Sequence, residues 1–134
     1  MKKIVFLISL LLCCFSCFSQ EKRYYSEIKG IEKELSSGLK IVFDFGDNPV
    51  YSSWNGLRSN QKLVNGNGEE IEFNSMVDAG NYLSEKGWTF LQAYTSFYSG
   101  NSIIHWIFYK DSEDPETVLD GIVTKAEYKK KSKK

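Results

Sequence analysis

The chain has 134 residues, with 17 Lys and Arg against 17 Asp and Glu, a single His, three Cys, and 3 Trp, 8 Tyr and 9 Phe. That length is one domain with one modest core, and one histidine cannot build a His-rich metal site. The formal charge balance hides an asymmetry. Lys2 and Lys3 stand at the start, and Lys129, Lys130, Lys131, Lys133 and Lys134 at the end; without these seven, 10 basic side chains face 17 acidic ones. An acidic body is a poor partner for nucleic acid.

The opening Met1-Lys2-Lys3 and the apolar run 4–12 have the form of a secretory signal, and the run is too short for a membrane span. No later segment is apolar enough to span, so no transmembrane helix is expected after cleavage. Cys17-Phe18-Ser19 puts small side chains at −3 and −1, so the favoured cut falls before Gln20 and residues 1–19 are removed. The alternative is a lipid on Cys17, but Cys14 and Phe15 fit poorly before a lipid-acceptor cysteine. Cys13, Cys14 and Cys17 are the only cysteines, so a cut at Gln20 leaves no disulfide, no thiolate ligand and no cysteine nucleophile. The expected location is periplasmic or extracellular, with outer-membrane anchoring if Cys17 is lipidated.

Residues 23–34 read as a strand, and 35–38 as a turn. Residues 39–46 place Leu39, Ile41, Phe43 and Phe45 on one face with Lys40 and Asp44 opposite, a half-buried strand that pairs with the first as an antiparallel hairpin. Residues 47–61 carry Asn-Pro, Asn-Gly and serines and read as a loop. Residues 62–73 read as two short strands around Asn65-Gly66-Asn67-Gly68, where Asn-Gly supplies the positive φ of a tight turn.

The clearest helix covers 74–88. Ser75 is its N-cap, with Asp78 in the acidic role of a capping box. Met76, Ala79, Gly80 and Leu83 share one face. Gly87 ends the helix in the left-handed region, with Trp88 set against Leu83 as in a Schellman ending. Residues 89–97 and 102–111 read as a long hairpin, apolar on much of both faces and central in the sheet. Asp114-Pro115-Glu116 starts a short helix over 115–121, with helical character resuming from Ile122 to Tyr128. The whole reads as a single α+β domain over 20–128. It has a mostly antiparallel sheet of five to six strands, one helix across a face and a short C-terminal helix. Residues 129–134 form a basic disordered tail, with weak attraction to anionic surfaces as its sharper alternative.

Residues 76–110 resemble a pattern in short bacterial domains of unassigned activity. It runs through a helix ending Leu-Asn-x-x-x-x-x-Gly-Trp, a strand, a turn, and a strand ending in Lys or Arg. Asn81, Gly87, Trp88 and Lys110 take the corresponding places, and Gly80 departs from the usual Leu. Residues 43–47 and 73–79 are also similar to exported Bacteroidota proteins. The resemblance implies an α+β fold and no reaction, cofactor or catalytic residue.

The chemistry-bearing residues are few. His105 sits in a strand, where packing explains it. As a general base it needs an orienting partner and a nucleophile, and spacing supplies neither. Asp44-Phe45-Gly46 lacks every other kinase signature, and the Asn-Gly repeat lacks the Gly and Glu of a calcium loop. Glu70 and Glu72 share a strand face, a permissible carboxylate pair but an ordinary solvent-facing decoration. The loop 47–61 is the best recognition candidate: Tyr51 and Trp54 with Asn55 and Arg58 make an adaptable contact surface. No metal and no cofactor is implied. The expected function is that of an exported, non-catalytic binding domain for a protein or carbohydrate ligand. The alternatives are a small envelope or polysaccharide hydrolase and a lipid-anchored envelope protein.

Overall fold

A computed structural model of the protein describes residues 21–32, 39–46, 62–98 and 100–133. Strands β1 (Lys22–Glu32), β2 (Leu39–Asp44), β3 (Thr89–Tyr98) and β4 (Asn101–Ser112) form one antiparallel sheet in the order β2-β1-β4-β3. Helix α1 (Met76–Glu85) lies on one face, a 3₁₀ turn covers Pro115–Thr117, and helix α2 (Lys125–Lys131) closes the chain. This is an α+β fold, and among the described residues no helix is long and apolar enough to cross a membrane.

Pleat alternation sorts the side chains. On the helix side stand Ile28 of β1, Phe43 of β2 and Phe108 of β4, all fully buried against Ala79 and Leu83 of α1. Each large apolar side chain so buried contributes about 1.5–3 kcal/mol. Two close approaches let the helix settle on the sheet. A Cβ on Gly30 would stand 2.6 Å from Met76 Sδ, and one on Gly80 would stand 3.0 Å from the Trp106 ring. Leucine at position 80, the usual residue of the resembled pattern, therefore has no room here.

Helix α1 matches its sequence signals. Ser75 Oγ accepts from the Asp78 N–H at 3.1 Å, although Asp78 reaches back to the N–H of Asn74 rather than of Ser75. At the other end the N–H of Trp88 donates to Leu83 O and that of Gly87 to Ser84 O, with Gly87 at φ 83°: a full Schellman ending. Lys110 Nζ adds two hydrogen bonds, to Lys86 O at 3.0 Å and Val118 O at 3.1 Å. A cation on the last carbonyls opposes the negative end of the helix dipole. The Gly-Trp pair and the strand-ending lysine of the resembled pattern are thus parts of one helix terminus.

Four expectations are corrected. The sheet has four strands among the described residues, not five to six. Residues 62–73 add none, because their backbone turns to the C-terminal segment instead. Val64 N–H donates to Val123 O and Lys125 N–H to Lys62 O, leaving only the isolated bridges Leu63↔Thr124 and Val64↔Glu70. The tight turn there is held by Asn65 Oδ1, which accepts from the N–H groups of Asn67 and Glu69, and Gly68 of the second Asn-Gly pair supplies its positive φ. The hairpin 89–111 is not central as a whole: β4 is, but β3 is an edge. The helix expected over 115–121 is a single 3₁₀ turn, capped by Asp114, after which Val118 and Ile122 drop into the core. Helix α2 starts at the Thr124–Glu127 capping box and runs into the lysines, with Lys129, Lys130 and Lys131 as its favourable C-terminal turn.

Glu70 ties the 62–72 segment to α2, bridging Lys62 and Lys125. Its hydrogen bond from Lys125, then that from Lys62, holds its carboxyl below the usual range. A carboxylate lowered in the folded state stabilises above its unfolded value of about 4.3, and that stability disappears as pH falls through the lowered value. The Glu70 side chain keeps 31% of its surface in solvent, so the effect is screened to about 1 kcal/mol or less. Glu70→Gln is expected to lower stability at neutral pH but not at the acid end, read from urea midpoints across pH. For Gly80→Leu, overpacking against Trp106 is expected to cost about 1–3 kcal/mol in the same assay.

Candidate functional site

The face of the sheet opposite α1 carries an unusual set of side chains. Register puts Glu27 and Lys29 of β1 beside Asp44 and Val42 of β2, and Lys29 directly opposite His105 of β4. His105 in turn stands opposite Tyr94 of β3. Lys29 is only 7% exposed and His105 8%. Burying such groups is costly unless each finds partners, and each does. Lys29 Nζ lies 2.8 Å from Glu27 Oε2 and 3.3 Å from Asp44 Oδ2. His105 Nδ1 lies 2.5 Å from Glu27 Oε1, and its Nε2 lies 2.7 Å from Ser96 Oγ. The Tyr94 hydroxyl donates to Glu27 Oε1 at 3.2 Å, and the Tyr94 ring stacks on the imidazole at 4.4 Å and 4°. Partial burial, then the Glu27 charge, pushes the Tyr94 phenol above its usual value, so it stays a donor at neutral pH.

The fold therefore supplies what spacing along the chain cannot. His105 has an orienting carboxylate on one ring nitrogen and a hydroxyl on the other, because β4 lies between β1 and β3. Glu27, Lys29, Tyr94 and Ser96 carry no signal of their own in the sequence. Only the alternation of β4, which turns His105 away from Trp106 and Phe108, hints at a polar face. Asp44 is a polar-face strand residue, with Oδ1 accepting the Gly46 N–H at 2.9 Å. Glu69 is engaged with Asn65, Glu70 with Lys62 and Lys125, and Glu72 is exposed. Among the described residues no group of three or more His, Cys, Asp and Glu is arranged to hold a metal ion. Tyr51, Trp54, Asn55 and Arg58, the expected recognition loop, lie outside the described residues, as does Cys17.

The second feature is β3 itself. Its sequence, TFLQAYTSFY, has ten residues without a charge or a proline. Phe90, Leu91, Tyr94, Phe97 and Tyr98 are exposed, Phe97 by 80% and Tyr98 by 67%. Phe90 faces the helix side, its ring against Trp106 and Phe108, and alternation along the regular stretch after the bulge at 90–92 places Phe97 on that side too. The opposite edge differs: β2 has six residues and includes Lys40 and Asp44. Natural sheets blunt their edges with short strands, charges and bulges. The β2 edge follows that practice, whereas β3 has only the bulge near its start.

A scan against protein-family models, a search of curated proteins and a search of solved structures each found no match.

The polar cluster makes a stability test. Lys29→Met leaves the Glu27 and Asp44 carboxylates without that cation and is expected to cost about 2–4 kcal/mol. Lys40, whose charge is disfavoured by burial and then by Lys62, serves as the contrast. Lys40→Met is expected to be neutral or slightly stabilising in the same denaturant titration.

Proposed function

We propose that this is an exported binding domain that works by strand addition at β3. The observation that carries the reading is the exposed, uncharged, aromatic edge. Its outer backbone groups have no partner among the described residues, and an added strand would satisfy them. Main-chain hydrogen bonds supply affinity in such a contact, and alternate side chains supply specificity. The occupant must be extended and uncharged, with large apolar side chains to lie beside Phe90 and Phe97. Among the described residues β3 itself, presented by a second copy, meets that description. Antiparallel β3–β3′ pairing is isologous, so the same patch serves both partners, and it joins two four-stranded sheets into one. The pairing sets uncharged strand against uncharged strand, although the body of the chain is acidic. The five exposed β3 side chains offer on the order of 600 Å² per subunit, near the roughly 800 Å² per partner of a standard interface.

The export part of the reading rests on the amino-terminal segment, and the resemblance to exported Bacteroidota proteins is in keeping with it. Carbohydrate as ligand and a lipid on Cys17 have no support from the geometry of the described residues.

Sedimentation equilibrium tests the reading. The protein is expected to be a dimer in the micromolar range, and Leu91→Lys combined with Phe97→Lys to weaken association at least tenfold with unchanged circular dichroism. A monomer persisting up to about 100 µM, or association insensitive to the two lysines, overturns it.

A further inference from the structure

The Ser96–His105–Glu27 chain has a chemical consequence that goes beyond binding. An ionised carboxylate only accepts hydrogen bonds, so with Glu27 Oε1 2.5 Å from His105 Nδ1 the neutral imidazole carries its proton on Nδ1. Nε2 is then a bare acceptor facing the Ser96 hydroxyl at 2.7 Å. Glu27 is itself held by Lys29 on its other oxygen and by Tyr94, and the stacked Tyr94 ring fixes the plane of the imidazole. Nucleophile, base and orienting acid thus stand in order and within hydrogen-bond reach, the arrangement that activates a serine for covalent catalysis. Each sits on a different strand of a rigid sheet, which holds the geometry better than loops would.

We infer that Ser96 is an activated nucleophile and that this face of the sheet cleaves small carboxylic esters, with His105 as general base and Glu27 as its positioning residue. Ser96 Oγ bonds to the ester carbonyl carbon while its proton passes to His105 Nε2, and the carbonyl π pair moves onto oxygen. The intermediate collapses, breaking the bond to the alkoxy oxygen, which takes the proton from Nε2 and leaves as the alcohol. Water then adds to the acyl carbon, giving a proton to Nε2. Ser96 Oγ departs with that proton, and a carboxylic acid is released. Ser96 and His105 lie on the face of the sheet opposite α1, so the acyl carbon reaches Ser96 Oγ from that face.

An alkyl fluorophosphonate tests this directly, because it phosphonylates serine Oγ and expels fluoride. The unmodified protein contains its own control, Ser102 of β4, a strand serine on the same hairpin that stands opposite Phe97 on the helix side of the sheet, the face away from His105. The expected result, read by tandem mass spectrometry, is that Ser96 is labelled at least 100-fold faster than Ser102. His105→Gln is expected to bring Ser96 down to the Ser102 rate while the circular dichroism holds. Equal labelling of the two serines in the unmodified protein overturns the inference, as does a Ser96 rate unaffected in a folded His105→Gln protein. Neither result depends on whether β3 associates, which sedimentation reads separately.

Discussion

A helix of ten residues is about 15 Å long and about 10 Å across with its side chains. Four strands spaced about 4.8 Å apart are wider than that. Helix α1 therefore cannot roof the whole sheet, and where it sits decides everything else. Gly30 on β1 and Gly80 on the helix allow it to come down hard on the middle of the sheet, with Leu83 and Ala79 sealed over Ile28 and Phe43. The 62–73 segment and the C-terminal turn, through Leu63, Val118 and Ile122, extend the same core cluster. Among the described residues nothing comparable covers the outer half of β3, and Phe97 and Tyr98 stand exposed. The bare edge follows from how little helix the described residues set against the sheet.

The terminus of that helix shows how distant residues become one device. Gly87 turns the chain, Trp88 tucks its ring against Phe45 at 5.8 Å, and Lys110 reaches across from β4 to the cap carbonyl. The lysine also holds Val118 O, so the helix end, the last core strand and the C-terminal turn are tied at one ammonium. Among the described residues, two buried polar atoms, Ser26 Oγ and Trp88 Nε1, have no hydrogen-bond partner. Each such group costs about 1–3 kcal/mol, which the packing of these side chains must offset.

Local signals were legible to the extent that they were local. The N-cap at Ser75, the apolar stripe of α1, the Schellman ending and the β1–β2 hairpin follow from residues within a few positions of one another. The misreadings share a cause. Apolar periodicity reports which faces of a strand are suited to burial, but it does not report what lies beside the strand. Residues 89–97 have the composition of a central strand and occupy an edge. Residues 62–73 alternate well enough for a sheet, but their hydrogen bonds run within the segment, as from Ile71 N–H to Leu63 O, and to Val123 and Lys125 of the C-terminal segment. The polar cluster was out of reach for a stronger reason. His105 meets Glu27 across 78 positions of sequence and Ser96 across 9, and no pattern marks those two residues as its neighbours.

Glu27, Lys29 and His105 on adjoining strands also bear on how the sheet chooses its register. Buried ion pairs rarely add much net stability, because desolvation consumes most of their attraction. They do penalise the wrong arrangement. Side chains alternate between faces along a strand, so sliding β1 by one residue against its neighbours would turn Glu27 and Lys29 into the helix-side core. There they would meet Phe43, Phe108 and Leu83, with no partner to replace the other carboxylate or the imidazole. The apolar residues alone impose a weaker choice, because Ile31, Val42, Ile103 and Ile107 occupy the open face too, by register. A sheet with apolar side chains on both faces needs another means of telling one face from the other. The charged cluster provides it, and the same geometry that pins the register delivers the imidazole to Ser96.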